Sequence, residues 1–199
     1  LIVDNLSNSN LGVLDGIDAI TGKRPEFIKA DCADLDAMRS IFASHPAIAG
    51  VIDFAASKAV NESVHKPLLY YRNNIVSLLN LLECINGAPE CRGIVFSSSC
   101  TVYGEPDTNP VTEMSPVKPA TSPYGNTKQI SEDIIRDTVA AGTGFNAILL
   151  RYFNPVGAHP SALIGELPNG VPQNLIPYLT QTAIGIRKRL SVFGDDYPT

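Results

Sequence analysis

Short runs rich in apolar residues alternate along the chain with longer stretches whose apolar residues recur at helical spacing. Residues 1–3, 25–30, 50–54, 93–96 and 147–151 are the short runs. Apolar continuity of this kind, without in–out alternation, predicts strands buried on both faces of a parallel sheet. Between them, residues 13–20 predict a helix closed by Gly22, and residues 35–43 predict one capped by Asp34, with Leu35, Met38, Ile41 and Phe42 on one side. A long helix is expected over 68–86, where Ile75, Leu78, Leu79 and Leu82 share a face. Another is expected over 124–140, opened by Ser122 as N-cap and Pro123 in the first turn. Strand and helix alternate throughout, which predicts an α/β fold: a Rossmann-like, doubly wound parallel sheet.

Past Tyr152-Phe153-Asn154 the texture changes, with Pro155, Pro160, Pro168, Pro172 and Pro177 in quick succession. We therefore expect one domain over 1–154 and the beginning of a second over 155–199. The sequence opens inside a strand at Leu1 and ends at Thr199 with no closing element, so both ends read as cuts and the chain as a fragment.

Candidate chemistry sits in two segments. One is Ser97-Ser98-Ser99-Cys100-Thr101-Val102-Tyr103-Gly104, directly after a strand, and the other is Ser122-Pro123-Tyr124-Gly125-Asn126-Thr127-Lys128, at a helix start. Tyr124 and Lys128 are four apart and share a helix face. An ammonium beside a phenol favours the phenolate, and the positive end of the helix dipole adds to this, so Tyr124 is expected to work as a general base with a lowered pKa. A hydroxyl from Ser99 or Thr101 at the neighbouring strand end would share a substrate proton with it. A Tyr-x-x-x-Lys pair by itself also fits a packed Tyr and a solvated Lys. The order of strand, hydroxyl-rich turn, loop and capped helix favours the chemical reading. The loop between the two segments carries Pro106, Pro110, Pro116 and Pro119 and is long enough to suggest an active-site rim.

Composition narrows the field. The net charge is −5 and the basic residues do not cluster, apart from Arg187-Lys188-Arg189, which fits a solvated helix end. A nucleic-acid partner is therefore not expected. The four Cys, at 32, 84, 91 and 100, form no Cys-x-x-Cys, and there are only three His, so neither a zinc centre nor a disulfide framework is indicated. Free thiols point to a reducing, cytoplasmic setting. No signal peptide and no apolar run of membrane-spanning length is present in the sequence.

Ligands of open parallel sheets bind beyond the carboxyl ends of the strands. Asp4 ends the first strand, Asp31-Cys32 the second, Phe54-Ala55-Ala56 the third and Ser97-Ser98-Ser99 the fourth. A strand-end acid can bond both hydroxyls of an adenosine ribose, which favours NAD over NADP. Asp4 and Asp31 also fit turn or helix caps, and the alanines fit core packing. No Gly-x-Gly-x-x-Gly occurs in the sequence. Such a phosphate cradle is expected about 30 residues before the ribose-binding acid, ahead of Leu1.

Taken in order, Asp4-Asn5, Asp31, Phe54-Ala55-Ala56, Lys58-Ala59-Val60-x-Glu62-Ser63-Val64, the Ser97–Gly104 segment, the Ser122–Lys128 segment and Arg151-Tyr152-Phe153-Asn154-Pro155-Val156-Gly157-Ala158-His159 resemble the extended short-chain dehydrogenase/reductases. Within them they are most similar to the UDP-glucose 4-epimerase family. The resemblance implies tightly held NAD and interconversion of UDP-galactose and UDP-glucose by transient oxidation at sugar C4. By the same resemblance, Tyr124, Lys128, Ser99 and Thr101 are catalytic. Asp4, Asn5, Ser7, Asn8, Asp31, Cys32, Phe54, Ala55, Lys58, Asn73, Tyr124, Lys128 and Tyr152 contact the cofactor. Ser99, Tyr124, Asn154, Asn174, Ser191, Val192 and Phe193 contact a UDP-hexose. A homodimer would form through helices 68–86 and 124–140. Read without the resemblance, Asn154 fits a turn, Asn174 a helix N-cap, and Lys58 and Asn73 a solvated surface.

Two departures stand out: Cys100 replaces a small Ala or Ser, and the diphosphate-gripping arginines of the family would lie past Thr199. Among rival readings, a sugar-nucleotide 4,6-dehydratase needs an acid–base pair where this chain has Cys100 and Thr101. The alternative kept is another NAD-dependent sugar-nucleotide enzyme of the same superfamily, a UDP-glucuronate decarboxylase or epimerase. A non-catalytic nucleotide-binding module would have no use for Tyr124, Lys128 and Ser99 together.

Overall fold

The computed structural model describes residues 1–142, 144–192 and 194. It divides into two compact units. The first comprises residues 1–5 and 27–153, and the second residues 6–26 and 154–199.

The first unit holds five parallel strands in two sheets. Strands β1 (Ile2–Asp4) and β2 (Phe27–Lys29) pair with each other, with Val3 opposite Ile28. Strands β3 (Val51–Asp53), β4 (Gly93–Ser99) and β5 (Asn146–Tyr152) form the other sheet in that order, with Asp53 opposite Phe96 and Ser99 opposite Tyr152.

Helices α2 (Leu35–Ser44), α4 (Pro67–Asn86) and α5 (Pro123–Ala140) build one core with the sheet: Met38, Ile41, Leu78, Leu82, Ile85, Ile94, Phe96 and Ile135 are all buried in it. Val3 and Ile28 pack against the same cluster. On the face of the three-stranded sheet that carries Ile52, Val95 and Ile148, Ile52 is 66% and Ile148 57% exposed.

The start signals work as the sequence suggests. Asp34 accepts from the Ala37 amide at 3.0 Å, and Ser122 accepts from the Gly125 amide at 3.1 Å. Two elements went unforeseen in this unit. Strand β4 continues through the serines to Ser99, because Ser98 finds a buried partner on α5 and is not needed by a turn. A short helix α3 (Val60–His65) fills the connection before α4, where Tyr70 of α4 donates to Glu62 at 3.0 Å and anchors it.

The second unit contains helix α1 (Gly12–Thr21), closed by Gly22 at φ 68°, and helix α6 (Leu175–Ala183). Helix α6 lies where proline density masked any periodic signal. Gly16 of α1 sits so close to Ile164 and the Leu163 carbonyl that a Cβ would fall 2.6 Å and 2.7 Å from them.

Candidate active site

Strand β4 ends at Ser99 and turns at once into a 3-10 turn, Cys100–Tyr103. Ser99 is its N-cap: its Oγ accepts from the Thr101 amide at 3.2 Å and from Thr101 Oγ1 at 3.0 Å. Gly104 terminates the turn at φ 59°, where a Cβ would lie 2.6 Å from the Pro119 carbonyl, so no other residue fits there. Pro119 leads into Ser122 and the first turn of α5. Gly125, whose absent Cβ would stand 3.3 Å from the Thr101 Cβ, lets that helix start close against the turn. Local capping and two glycines thus bring Ser99, Thr101 and Tyr124 together, the Ser99 hydroxyl near enough to the Tyr124 phenol to act on its pKa.

Lys128 lies one helical turn below. It is 4% exposed, its Nζ donates to the Ser97 carbonyl at 2.7 Å, and it sits 4.7 Å from the centre of the Phe96 ring and 5.9 Å from that of Tyr124. Burial pushes its pKa down to about 8, against the pull of the buried Asp53 carboxylate. The Tyr124 phenol is raised, chiefly by burial, although the Ser99 hydroxyl works the other way. The expectation that the ammonium lowers the phenol is therefore not met in this structure. Lys128 is itself desolvated and aimed at a backbone carbonyl, and desolvation of the phenolate outweighs the rest.

The strand-end residues of the first unit assemble as a row. Asn5 donates to Asp31 Oδ2 at 3.1 Å, while Asp31 Oδ1 accepts the Ala33 amide at 2.8 Å. Asp4 lies beside them at the end of β1. Two carboxylates and an amide at neighbouring strand ends suit the hydroxyls of a ribose, and a phosphate would be repelled there. Cys32 follows, its thiol pushed up to about 11 by burial and then by Asp53, Asp31 and Asp4. The Ala55 amide is turned back onto Asp53 Oδ1 at 2.9 Å. Phe54, the residue after β3, is exposed with its ring centre 6.3 Å from that of Tyr152 at the end of β5. Lys58 is exposed in the loop after β3. Asn73 donates to Ser57 Oγ at 3.1 Å and is not a free surface amide.

The other expected residues fall in the second unit. Ser7, Asn8, Asn154, Ser191 and Val192 are exposed there in non-helical segments. Asn174 stands at the N-cap position of α6, yet its side chain caps nothing and donates to Glu166 Oε1 at 2.8 Å. Phe193 lies outside the described residues.

Three buried polar residues near the site were not singled out by the sequence reading. Asn74 accepts from the Ser57 amide (2.8 Å) and donates to the Ser57 carbonyl (3.0 Å) and to Thr127 Oγ1 (3.1 Å), so it ties the Ala55–Lys58 loop to the helix of Tyr124. Asp53 is 5% exposed and faces Lys128 electrostatically. Glu132 is 1% exposed on α5 and holds Ser98, Arg136 and Arg151. The spacing Tyr70, Asn74, Leu78 puts Asn74 on the core face of α4, a signal that could have separated it from Asn73.

With this geometry in hand, the whole chain, residues 1–199, matches the model of a protein family described as GDP-mannose 4,6 dehydratase. The chain belongs to this family. It is 51% identical, over all 199 residues, to the UDP-glucose 4-epimerase of Bacillus subtilis, of which it covers 58%. Among solved structures, the UDP-glucose 4-epimerase from Bifidobacterium longum in complex with NAD+ and UDP superposes with a TM-score of 0.94 at 46% identity, over 99% of this chain and 58% of that one. The Stenotrophomonas maltophila UDP-glucose-4-epimerase with bound NAD and formylated UDP-arabinopyranose gives 0.93 at 47% identity, over 100% and 58%. The resemblance read from the motifs and the Rossmann-like fold are both borne out. The chain spans less than three fifths of the length of these relatives.

Proposed function

We propose that the protein is a UDP-glucose 4-epimerase that interconverts UDP-galactose and UDP-glucose with a retained NAD and so serves galactose metabolism. The observation that carries this reading is the cluster of Ser99, Thr101, Tyr124 and Lys128, with Ser99 and Lys128 buried, on a fold whose first strands end in Asp4 and Asp31. Asp4, Asn5, Asp31, Cys32, Phe54, Ala55, Lys58, Asn73 and Tyr152, with Ser7 and Asn8, would hold the dinucleotide. When bound, NAD supplies a reversible acceptor for the hydrogen on sugar C4.

The chain's own part is the proton. Tyr124 takes the proton of the sugar 4-hydroxyl as the C4 hydrogen leaves and returns it afterwards. Between these events the sugar carries a ketone at C4, which opens both faces of that carbon. Ser99, backed by Thr101 Oγ1, bonds the reacting oxygen and shares it with the phenol. Lys128, fixed on the Ser97 carbonyl, places a positive charge below the phenol that favours the phenolate as the proton moves. Asn154, Asn174, Ser191, Val192 and Phe193 contact the nucleotide sugar, in a region we assign to residues 155–199 with Asn154 at its edge. A homodimer through α4 and α5 is supported by the exposure of Leu68, Leu69 and Leu79 on α4. The four free cysteines fit the cytoplasm.

The family's name raises dehydration as a second reading. Elimination needs a carboxylic acid–base pair after the serines, and this chain has Cys100, whose thiol is raised by burial and stays neutral, and Thr101. To test the reading, the full-length protein is mixed with UDP-galactose without added NAD, and the sugar anomeric protons are followed by NMR. UDP-glucose should appear, and Tyr124→Phe should abolish it. Unchanged UDP-galactose with a folded, NAD-loaded protein overturns the assignment.

A further inference from the structure

Glu132 is a buried charge, 1% exposed, bonded through both carboxylate oxygens. Its Oε1 accepts from Ser98 Oγ at 2.6 Å and from Arg151 Nε at 2.9 Å. Its Oε2 accepts from Arg151 Nη2 at 2.7 Å and from Arg136 Nη2 at 2.6 Å. The three backbones it joins each carry a residue of the proposed site in the adjoining position or turn. Ser98 precedes Ser99 on β4, and Arg151 precedes Tyr152 on β5. Lys128 and Tyr124 lie one and two turns before Glu132 on the same face of α5. Arg151 is itself steered by the Tyr103 ring, 4.7 Å from the guanidinium carbon, at the end of the turn that holds Thr101. Packing alone fixes the distance between a helix and a sheet better than it fixes sliding along them. A carboxylate gripped from two strands resists that sliding, and sliding is what would separate the Ser99 hydroxyl from the Tyr124 phenol.

We infer that Glu132 is a positioning residue: through Ser98 and Arg151 it sets the register of α5 against β4 and β5, and thereby the Ser99–Tyr124 pairing on which proton transfer depends. The inference rests on the epimerase reading for its link to turnover, and on the Glu132 clamp and the α5 face that Glu132 shares with Tyr124 for its link to the phenol.

The test uses Ser98→Ala in the full-length protein, which removes one limb of the clamp and leaves both arginines on Glu132. Turnover of UDP-galactose should fall about 10- to 100-fold, the loss typical of a small misplacement, with KM unchanged. The Tyr124 phenol, followed by carbon-13 NMR of its ring, should titrate at higher pH, because the Ser99 hydroxyl that lowers it is displaced. Ser98→Thr keeps the hydroxyl and should restore both. Arg151→Lys, which keeps the charge but loses the two-pronged grip, should act in the same direction. A folded Ser98→Ala protein with wild-type turnover and wild-type Tyr124 titration overturns the inference. So does a variant that merely melts earlier, with turnover per folded molecule and Tyr124 unchanged. If the wild-type protein does not convert UDP-galactose, the epimerase reading fails, and the Tyr124 titration still decides the role of Glu132.

Discussion

The Lys128 ammonium donates to the Ser97 carbonyl at 2.7 Å and stands 5.9 Å from the centre of the Tyr124 ring. Its effect on the phenol is therefore one of charge at a distance, and its own position is fixed by the strand that ends in Ser99.

That arrangement gives Lys128 a readable pH signature. Its folded pKa is pushed down to about 8 from 10.5, so the protonated side chain is disfavoured by folding. Between those values the unfolded chain holds the proton and the folded chain does not, so this group makes the protein more stable as pH rises from about 8 to 10.5. Chemical denaturation of wild type and Lys128→Met across that range should show the stability difference moving in favour of wild type. Turnover of wild type should fall above pH 8 as the charge below Tyr124 is lost.

Glu132 has the opposite sign. Although burial opposes it, the Arg151, Ser98 and Arg136 bonds hold its carboxyl below the usual 4.5. The stability it contributes is complete above the unfolded value and is lost as pH falls through the lower, folded one. Glu132→Gln should destabilise the protein by about 3–5 kcal/mol at neutral pH, as expected for breaking a buried ionic cluster, and the gap should close in acid. Urea titrations at several pH values measure this.

Asn74 bridges 53 positions to reach Thr127 and also holds both polar groups of the Ser57 backbone. Asn74→Ala should cost about 1–3 kcal/mol for the buried groups left unpaired. The Ser57 amide should lose protection in hydrogen exchange. A Ser57 amide that stays protected would show that the loop is held by other contacts.

Asp4 and Asp31 place two carboxylates where an adenosine ribose is expected. Asp4→Ala should weaken NAD binding by about tenfold or more, the worth of a charge-assisted hydrogen bond, and should narrow the preference for NAD over NADP. Calorimetry with both dinucleotides gives the comparison, and equal losses for the two would remove Asp4 from the ribose site.

What the sequence made legible was local or periodic. Tyr124 and Lys128 could be paired because four residues make one helical turn. Ser122 and Asp34 could be named as caps because capping reaches only three residues ahead. The strands could be placed because apolar runs of that length recur between helices. The sequence did not reveal that Ser98 would meet Glu132 across 34 positions, or that Asn74 and not Asn73 would face the core-side partner. It also suggested a lowered Tyr124 pKa, since spacing shows which charges are near and burial does not appear in spacing.

The sequence by itself determined the alternation of strands and helices, the caps, and the residue types at each strand end, because these depend on neighbours a few bonds away. Only the tertiary structure decided how α5 registers against β4 and β5, where the Lys128 proton is directed, and whether burial or charge governs Tyr124. Those outcomes depend on which distant groups are brought together and deprived of water, and that is settled only when the sheet and its helices close on one core.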